Sequence, residues 1–418
     1  MLIAAVVALS LVQPATQPAV TPPPAQTVQG AQPAPSAKGP ALDAAHAEML
    51  AKVAAKASAY LRSKQDKPTG AWGVKDGVAA FPAITALALS GLLDDPGLKK
   101  DDPAIVAAVG SLLKAQQPDG SIQGGTLPSY NTAISIAALA KVDDPKAKEA
   151  VTKAVAYLKS IQYGSGATLP AGTSEAPIAV GKEHSFYGGW GYGKHGRPDL
   201  SNTQWALEGL HAAGVAPDDS AIQRAMVFLQ RCQMVDAVND MSYADGSKQG
   251  GFIYATSENK DKVGIGQSFA GEIVETMDDG KKVSRLRCYG SMTYAGFKSY
   301  LYAGLQADDP RVVQAKAWLG NNYTFDENPG VGTDGLYYYY VTMARSLAAA
   351  GEPTLTVQSD SASPRQANWA QDLIAKLASL QQDDGSFKPV DDRWMENDPV
   401  LITAYSLIAL RNSTPTKP

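Results

Sequence analysis

Residues 60–72 read YLRSKQDKPTGAW, in which an aromatic residue and Leu precede three spacers, Gln and a Gly-containing turn. Related pairs recur along the chain: Leu112-Leu113 before Gln117, Tyr157-Leu158 before Gln162, Phe228-Leu229 before Gln233, Trp318-Leu319 before Tyr323, and Leu377-Ala378 before Gln382. Such recurrence, at intervals of roughly 45 to 90 residues, is typical of repeat proteins, in which each copy buries its apolar face against the next.

A second column of residues lies downstream of the first, in Ala-rich apolar segments. Each segment carries Thr with a large residue seven positions later, a spacing that returns to the same helix face. The pairs are Thr85 and Leu92, Thr132 and Leu139, Thr203 and Leu210, Thr293 and Tyr300, and Thr403 and Leu410, with Tyr340 and Leu347 in the fifth copy. These segments are apolar almost all round, whereas those of the first column are amphipathic. We therefore predict an all-α fold of six helix pairs, with amphipathic helices outside and buried helices inside, closed into an (α/α)6 barrel.

Composition favours one large globular domain. The chain has 418 residues, 44% of them hydrophobic, with six Trp and 18 Tyr, and the repeats run without a break over residues 42–412. We assign this range to one domain and residues 413–418 to a tail. A net charge of −4 without a basic stripe argues against nucleic acid as a partner. Cys232 and Cys288 leave open whether one disulfide forms.

The amino-terminal region differs from the repeats in composition. Residues 2–12 read LIAAVVALSLV, an apolar run of signal-peptide length and too short to span a bilayer. The segment that follows is rich in Pro, Ala and Gln, which is typical of a disordered linker. We predict a signal segment at 1–15, a linker at 16–41, and export to the periplasm or cell envelope. The alternative is an uncleaved segment that makes the protein's only membrane contact.

The two ends of the predicted barrel differ. Connections from an inner to an outer helix are short and carry Asp-Pro helix starts, as at Asp102-Pro103 and Asp144-Pro145. Connections from an outer to an inner helix are long in the third, fourth and fifth repeats, and long loops in compact domains are often functional. The inner helices all begin at this end, where free backbone amides favour anions. We therefore predict a ligand cavity with an electropositive mouth there.

The aromatic-Leu-x3-Gln column, followed by Gly70 and Trp72 in the first copy, resembles the repeat of the terpenoid cyclase and protein prenyltransferase superfamily. The resemblance covers residues 42–412. It implies the α/α toroid of that superfamily, and it implies architectural roles for the Gln and Trp residues.

The resemblance does not extend to the acid motif of squalene cyclases. Those enzymes protonate an alkene with the middle acid of an Asp-x-Asp-Asp-Thr motif at the start of an inner helix. The most similar segment here, residues 199–203, reads DLSNT and places Ser201 where the proton donor would stand. A hydroxyl group is too weak an acid for this step, so the sequence argues against cyclisation by that route.

The zinc site of protein prenyltransferases is also incomplete. Cys288 matches their zinc-binding cysteine, but Leu286 stands at the Asp position and Tyr337 where His is expected. Structural and catalytic zinc sites use three or four protein ligands. We therefore predict that the protein binds no metal and no other cofactor. Elemental analysis should find no stoichiometric zinc, and one zinc per chain that disappears in Cys288→Ala would contradict this.

Candidate ligand-binding residues come from the predicted inner-helix starts and the loops before them, and no catalytic residue is assigned. The basic run from Lys281 to Arg287 resembles the diphosphate-neutralising region of prenyltransferases, although such a run is often only a solvated surface. His184 and His195 could bind metal or act as acid and base, but ordinary loop histidines look the same. The candidates are Tyr130, Asn131, Trp190, Asp199, Asn202, Arg287, Cys288, Tyr289, Tyr294, Asp334 and Tyr337.

Two hypotheses of different classes remain. In the first, an exported member of this superfamily binds or transforms an isoprenoid-like or other apolar ligand, with an anionic head at the helix starts. In the second, a non-catalytic envelope protein uses the long-loop end of the barrel to bind or scaffold another molecule. A deep cavity favours the first hypothesis and a filled barrel the second.

Overall fold

Two kinds of α-helix alternate along the chain in the computed structural model, which describes residues 42–75, 78–79, 81–166, 180–193, 196–256, 267–359 and 362–414. Helices with one exposed face form an outer set: α1 (Ala44–Lys64), α3 (Pro103–Lys114), α5 (Pro145–Ser160), α7 (Ser220–Cys232), α9 (Pro310–Asn321) and α11 (Trp369–Leu380). Buried helices form an inner set: α2 (Pro82–Leu93), α4 (Pro128–Leu139), α6 (Leu200–Ala212), α8 (Gly290–Tyr302), α10 (Leu336–Ala350) and α12 (Pro399–Asn412). The predicted signal segment, the linker and His195 lie outside the described residues.

The inner helices form the centre of the described structure. Each packs against the next inner helix in chain order, and α12 packs against α2 as well as against α1. Their residues are buried on nearly all sides, as expected for helices that are apolar all round. Outer helices begin with Asp side chains that accept hydrogen bonds from first-turn amides, as at Asp102, Asp144 and Asp309, each followed by Pro.

The Gln column joins each outer helix to the following one. The side-chain amide of Gln65 donates to the carbonyls of Gly70 and of Ala104 on α3, at 2.9 and 2.8 Å. Four other residues repeat this double contact: Gln116 to Gly120 and Ala150, Gln162 to Gly188 and Ala221, Gln233 to Gly250 and Arg311, and Gln381 to Gly385 and Val53. The last contact links the sixth repeat to α1.

The predicted register of the Gln column is wrong by one residue in two repeats. Gln116 and Gln381 make the double contact, whereas Gln117 and Gln382 bond within their own turns. Both repeats carry two adjacent Gln residues, and sequence spacing from the preceding pair selected the wrong one. In the fifth repeat, the Tyr323 hydroxyl donates to Asp372 on α11 at 2.7 Å, so this tyrosine also reaches the next outer helix.

Each Gln bonds to a glycine that touches the next outer helix. Gly188 has a φ of +87°, and a Cβ added there would lie 1.9 Å from the Arg224 carbonyl oxygen on α7. Gly70, Gly120, Gly250 and Gly385 share the positive φ and the close approach to a carbonyl group. Glycine is required at these positions because any side chain would collide with backbone.

The Thr column anchors the inner helices to the preceding turns, and its predicted placement is confirmed. Thr85, Thr132, Thr203 and Thr293 accept hydrogen bonds from the backbone amides of Trp72, Ile122, Trp190 and Phe252 at 2.9–3.1 Å. Thr403 lies at the same place in α12. Tyr60, Tyr157, Phe228 and Trp318 lie on outer helices, as predicted.

Three antiparallel hairpins add β-structure to the predicted all-α fold. The strands are β1 (Val74–Lys75), β2 (Val78–Ala79), β3 (Glu272–Thr276), β4 (Lys282–Leu286), β5 (Leu355–Ser359) and β6 (Ala362–Ala367). The β3–β4 hairpin occupies part of the long fourth-repeat connection and includes most of the basic run. The β5–β6 hairpin follows α10, so the expectation of short connections at that end is wrong there. Among the described residues, no helix has both the length and the apolar character needed to cross a bilayer.

Candidate functional site

A cavity of about 210 Å³ lies where the inner helices begin. All six inner helices contribute to its wall, through Ile84 on α2, Tyr130 on α4, Ser201 on α6, Met292 on α8, Tyr338 on α10 and Tyr405 on α12. The other lining residues are Phe81, Ala83, Leu87, Leu127, Asn131, Tyr192, Tyr289, Ser291, Trp394, Met395, Glu396 and Leu401. A concave, largely apolar site with few polar groups is the usual form of a small-molecule pocket.

Aromatic rings dominate the cavity wall. Tyr130 lies between Tyr192 and Trp205, with both ring-centroid distances at 6.2 Å, and Tyr338 packs edge-on against Tyr405 at 6.1 Å. Two further rings extend this wall at the opening, where Phe269 lies 5.4 Å from Trp394. The cavity therefore presents ring faces and edges to a ligand.

At five of the six inner-helix starts, some of the first backbone amides are already bonded to side chains of the protein. Asn131 accepts from the Ala83 amide at the start of α2, and Asn328 accepts from the Ser291 amide at the start of α8, at 2.9 and 2.8 Å. Asp199, Glu396 and Asp398 cap α6, α10 and α12 respectively. Side-chain oxygens therefore occupy some of the amides that were expected to bind an anion, which argues against the predicted electropositive mouth at these helices.

Asp199 is a buried acid beside the cavity. It accepts from the Asn202 amide and from the Asn202 side chain, both at 2.8 Å. Burial raises the pKa of Asp199 to about 6, against the opposing effect of these hydrogen bonds. Its partner Asn202 stands at the fourth position of the DLSNT segment, and Ser201 lines the cavity with its hydroxyl 3.1 Å from the Tyr338 hydroxyl.

Glu396 is a cavity residue that the sequence analysis missed. Its two carboxylate oxygens accept from the amides of Tyr337 and Tyr338 at 2.9 and 2.7 Å. Burial raises the pKa of Glu396 to about 7, although these two hydrogen bonds favour its charged form. Trp394 and Met395, just before it, have φ of 54° and 66°, in the left-handed region that side chains rarely adopt. These residues lie in the connection before α12, which is not among the long connections singled out from the sequence, and no repeat column marks them.

The structure brings together only part of the predicted set. Tyr130, Asn131 and Tyr289 line the cavity, and Asp199 and Asn202 lie immediately beside it. Cys288 is buried and does not line the cavity, and the Arg287 side chain is exposed outside the lining. No Lys or Arg is among the described lining residues, so the basis for a diphosphate head is lost.

The remaining predicted residues serve other contacts. Trp190 donates from its indole nitrogen to the Leu158 carbonyl at 2.8 Å, between the two helix layers. Tyr294 packs against Tyr339, and the Tyr337 hydroxyl donates to the Lys388 carbonyl at 2.6 Å. Asp334 pairs with Arg393 at 2.7 Å. Large aromatic residues near the helix starts therefore divide between cavity lining and interlayer packing, and sequence alone did not separate them.

The described residues hold no group of three or more His, Cys, Asp or Glu placed to bind a metal ion. The His184 ring accepts from the Phe186 amide at 3.1 Å, a local loop contact. Cys232 and Cys288 are unbridged, and burial raises the pKa of both thiols. Buried neutral thiols of this kind are poor nucleophiles.

A charged cluster lies deeper among the inner helices, away from the cavity opening. Glu208 on α6 pairs with both Lys298 on α8 and Arg345 on α10, and all three side chains are at most 9% exposed. Both cations lie over the Trp205 ring, at 5.4 and 5.0 Å from its centroid. Burial alone would raise the pKa of Glu208, but the two cations outweigh it and lower that pKa. Trp205 separates this cluster from Tyr130 in the cavity wall.

Comparison with known proteins agrees with this architecture. The model of the family described as squalene-hopene cyclase C-terminal domain matches residues 79–256. A squalene–hopene cyclase from Zymomonas mobilis subsp. mobilis is 30% identical in an alignment of 203 residues that covers 44% of this chain and 29% of the cyclase. The resemblance is thereby confirmed. Over this part of its length the chain is similar to the terpenoid cyclase superfamily.

Solved structures of this superfamily and of glycan-degrading enzymes share the fold. A variant of the type II terpene cyclase MstE from Scytonema has a TM-score of 0.50 at 16% identity, covering 89% of this chain and 99% of its own. An inactive α-1,6-mannanase variant from Salegentibacter sp. HEL1_6, in complex with α-1,6-mannotriose, has a TM-score of 0.52 at 10% identity, covering 87% and 98%. Since a terpene cyclase and a mannanase share this fold, the fold alone does not determine the function of this chain.

Proposed function

We propose that the protein binds an apolar, isoprenoid-like molecule in the cavity at the inner-helix starts. The observation that carries this proposal is the aromatic wall, to which all six inner helices contribute. A ten-carbon chain that buries roughly 200 Å² of apolar surface would gain about 5 kcal/mol from the hydrophobic effect before the costs of association. The match to a cyclase domain family supports an isoprenoid as the ligand class.

Ser201 favours binding over acid-initiated cyclisation by the squalene cyclase route. It stands at the proton donor's place and lines the cavity, but a hydroxyl bonded to the Tyr338 hydroxyl cannot supply a strong acid. We also propose that the six helix pairs close into an (α/α)6 barrel. The packing of α12 on α2 and the contact from Gln381 to α1 support this closure. Export to the cell envelope remains part of the proposal, on the strength of the apolar run at residues 2–12.

Filling the cavity should abolish ligand binding. Leu401 lies in the wall on α12, and Leu401→Trp would place an indole ring in the space that the ligand occupies. We expect the affinity for geraniol, measured by calorimetry, to fall at least ~10-fold, as steric exclusion requires. The matched control is Val313→Trp on α9, at a side chain 49% exposed, where affinity should not change.

Two results would contradict the proposal. One is the absence of geraniol binding by the parent protein, and the other is an equal affinity in the parent and Leu401→Trp. A circular dichroism melting curve for each variant establishes that the helices remain folded. The first result would favour the alternative, a non-catalytic scaffold that uses the loop-bearing end.

A further inference from the structure

The described lining of the cavity carries a carboxylate but no cationic side chain. Glu396 is the one acidic or basic side chain among its described lining residues. The nearest cationic group at the opening, Arg393, pairs with Asp334 at 2.7 Å. A ligand with a negative head would therefore face a carboxylate and find no cation to compensate it.

Two neutral polar side chains of the wall already have hydrogen-bond partners within the protein. The Asn131 side chain accepts from the Ala83 amide and donates to the Thr126 carbonyl at 2.8 Å. The Ser291 hydroxyl oxygen accepts from the Asn328 side chain at 3.1 Å. The described lining therefore offers hydroxyl groups but no Lys or Arg, the charged donors that bind a phosphate or carboxylate head most strongly.

Glu396 retains capacity to accept from a ligand. Its two oxygens accept from the backbone amides of Tyr337, Tyr338 and Leu336 in the first turn of α10, and an ionised carboxylate has about four acceptor positions in all. These bonds hold the side chain in place, so the acceptor position that is left has a fixed orientation. A donor or a positive charge in the cavity would therefore meet a preorganised acceptor.

The aromatic rings around Glu396 are also suited to a positive charge. Seven lining residues carry such rings: Phe81, Tyr130, Tyr192, Tyr289, Tyr338, Trp394 and Tyr405. The faces of aromatic rings attract cations through their quadrupole. This end of the protein already shows the interaction, because the Arg393 guanidinium lies 4.8 Å from the Trp394 ring centroid and 5.2 Å from that of Phe269.

We propose that the cavity takes an organic cation, an ammonium group on a hydrocarbon tail, with the Glu396 carboxylate as its counter-charge. This inference rests on the proposed function and specifies the head group of its ligand. The tail packs against Ile84, Leu87 and Met292, and the cationic head lies beside Glu396 among the tyrosine rings.

The proposal predicts that cation affinity depends on pH. With a pKa of about 7, Glu396 is mostly neutral at pH 6 and mostly ionised at pH 8. The charge of Asp391, on the same loop, raises the pKa of Glu396. The charge of Glu396 in turn raises the pKa of Tyr337 and Tyr340 on α10 and of Tyr405 on α12. Burial raises the pKa of each of these tyrosines, so they stay neutral in this range. Affinity for a cation should therefore fall about 10-fold from pH 8 to pH 6, in proportion to the ionised fraction of Glu396.

Three ligands with one tail test the head group directly. Geranylamine, geraniol and geranyl diphosphate differ only in their heads, which are positive, neutral and negative at pH 8. We expect the parent protein to bind geranylamine at least ~10-fold more tightly than geraniol, and geranyl diphosphate most weakly. In Glu396→Gln, the ratio of amine to alcohol affinity should fall to about 1, since the counter-charge is lost. Asp391→Asn is the matched control, because it removes a nearby acid outside the lining and should keep the ratio.

The outcomes separate this inference from the proposed function. Geraniol binding without a preference for geranylamine, or tighter binding of geranyl diphosphate, overturns the cation site and leaves the isoprenoid cavity in place. Absence of binding by all three ligands overturns both. Retained geraniol affinity in Glu396→Gln shows that the cavity is intact in that variant. If that variant does not fold, the pH profile of the parent decides, and a constant geranylamine affinity between pH 6 and pH 8 overturns the proposal.

Discussion

Glu208→Gln should lower the free energy of unfolding by about 3–5 kcal/mol, which is the usual cost of breaking a buried ion pair by removing one partner. Glu208 is the one acid paired with both Lys298 and Arg345, and the three lie on adjacent inner helices. Its removal leaves two cations close together in an environment that solvates neither. Chemical denaturation of the variant and the parent at pH 7 measures the difference.

The same variant should show a distinctive pH dependence. Burial lowers the pKa of Lys298 to about 8, and without Glu208 this pKa should fall further. A lysine whose pKa is lower in the folded than in the unfolded protein loses its proton first in the folded state, so stability rises with pH between the two pKa values. The deficit of Glu208→Gln should therefore be smaller at pH 9 than at pH 7. Glu149→Gln, which removes an exposed pair with Lys153, is the control and should leave the free energy of unfolding nearly unchanged. A deficit for Glu208→Gln as small as this control would show that the cluster does not stabilise the fold.

Gly188→Ala should cost about 3 kcal/mol or more of unfolding free energy. Its φ of +87° costs roughly 1–2 kcal/mol for any residue with a side chain. The added Cβ would also lie 1.9 Å from the Arg224 carbonyl oxygen, so α7 must move, and such overpacking typically costs about 1–3 kcal/mol. That movement would also disturb the Gln162 contacts with Gly188 and Ala221.

Gly214→Ala separates the two contributions. Gly214 has a φ of +76°, but a Cβ there would meet no atom within 4 Å. We expect the free energy of unfolding of this control to fall only by the cost of placing a side chain at positive φ, roughly 1–2 kcal/mol. Equal losses in the two variants, measured by urea denaturation, would mean that the contact between Gly188 and α7 contributes nothing.

Sequence reasoning was strongest where a physical requirement recurs. Thr85 and its counterparts were placed on inner helices because a spacing of seven residues and an apolar surround identify a buried helix face. The resemblance to the superfamily was identified from the same columns. The Gln register was ambiguous in two repeats because Gln116 and Gln117 are adjacent, and only the hydrogen bonds to Gly120 and Ala150 distinguish them.

The site was predicted less well because its determinants do not repeat. Tyr130, Asn131 and Tyr289 line the cavity because each stands at an inner-helix start, and their contact with a ligand stays a prediction. The electropositive mouth was predicted from free backbone amides, and the sequence did not show that side chains such as Asp199 and Asp398 cap some of them. Glu396 went unnoticed for the same reason, since its role depends on reaching α10 from the connection before α12.

Three of the helix caps come from the repeat that follows. Asn131 on α4 caps α2, Asn328 from the connection before α10 caps α8, and Glu396 from the connection before α12 caps α10. During synthesis, each of these inner helices would therefore leave the ribosome before the residue that completes it. The delay is longest for the first outer helix, because its Val53 carbonyl accepts a hydrogen bond from Gln381, near the end of the chain. We therefore expect the nascent chain to stay dependent on late residues, so that premature termination anywhere before the last repeat yields a product for proteolysis and not a smaller working protein.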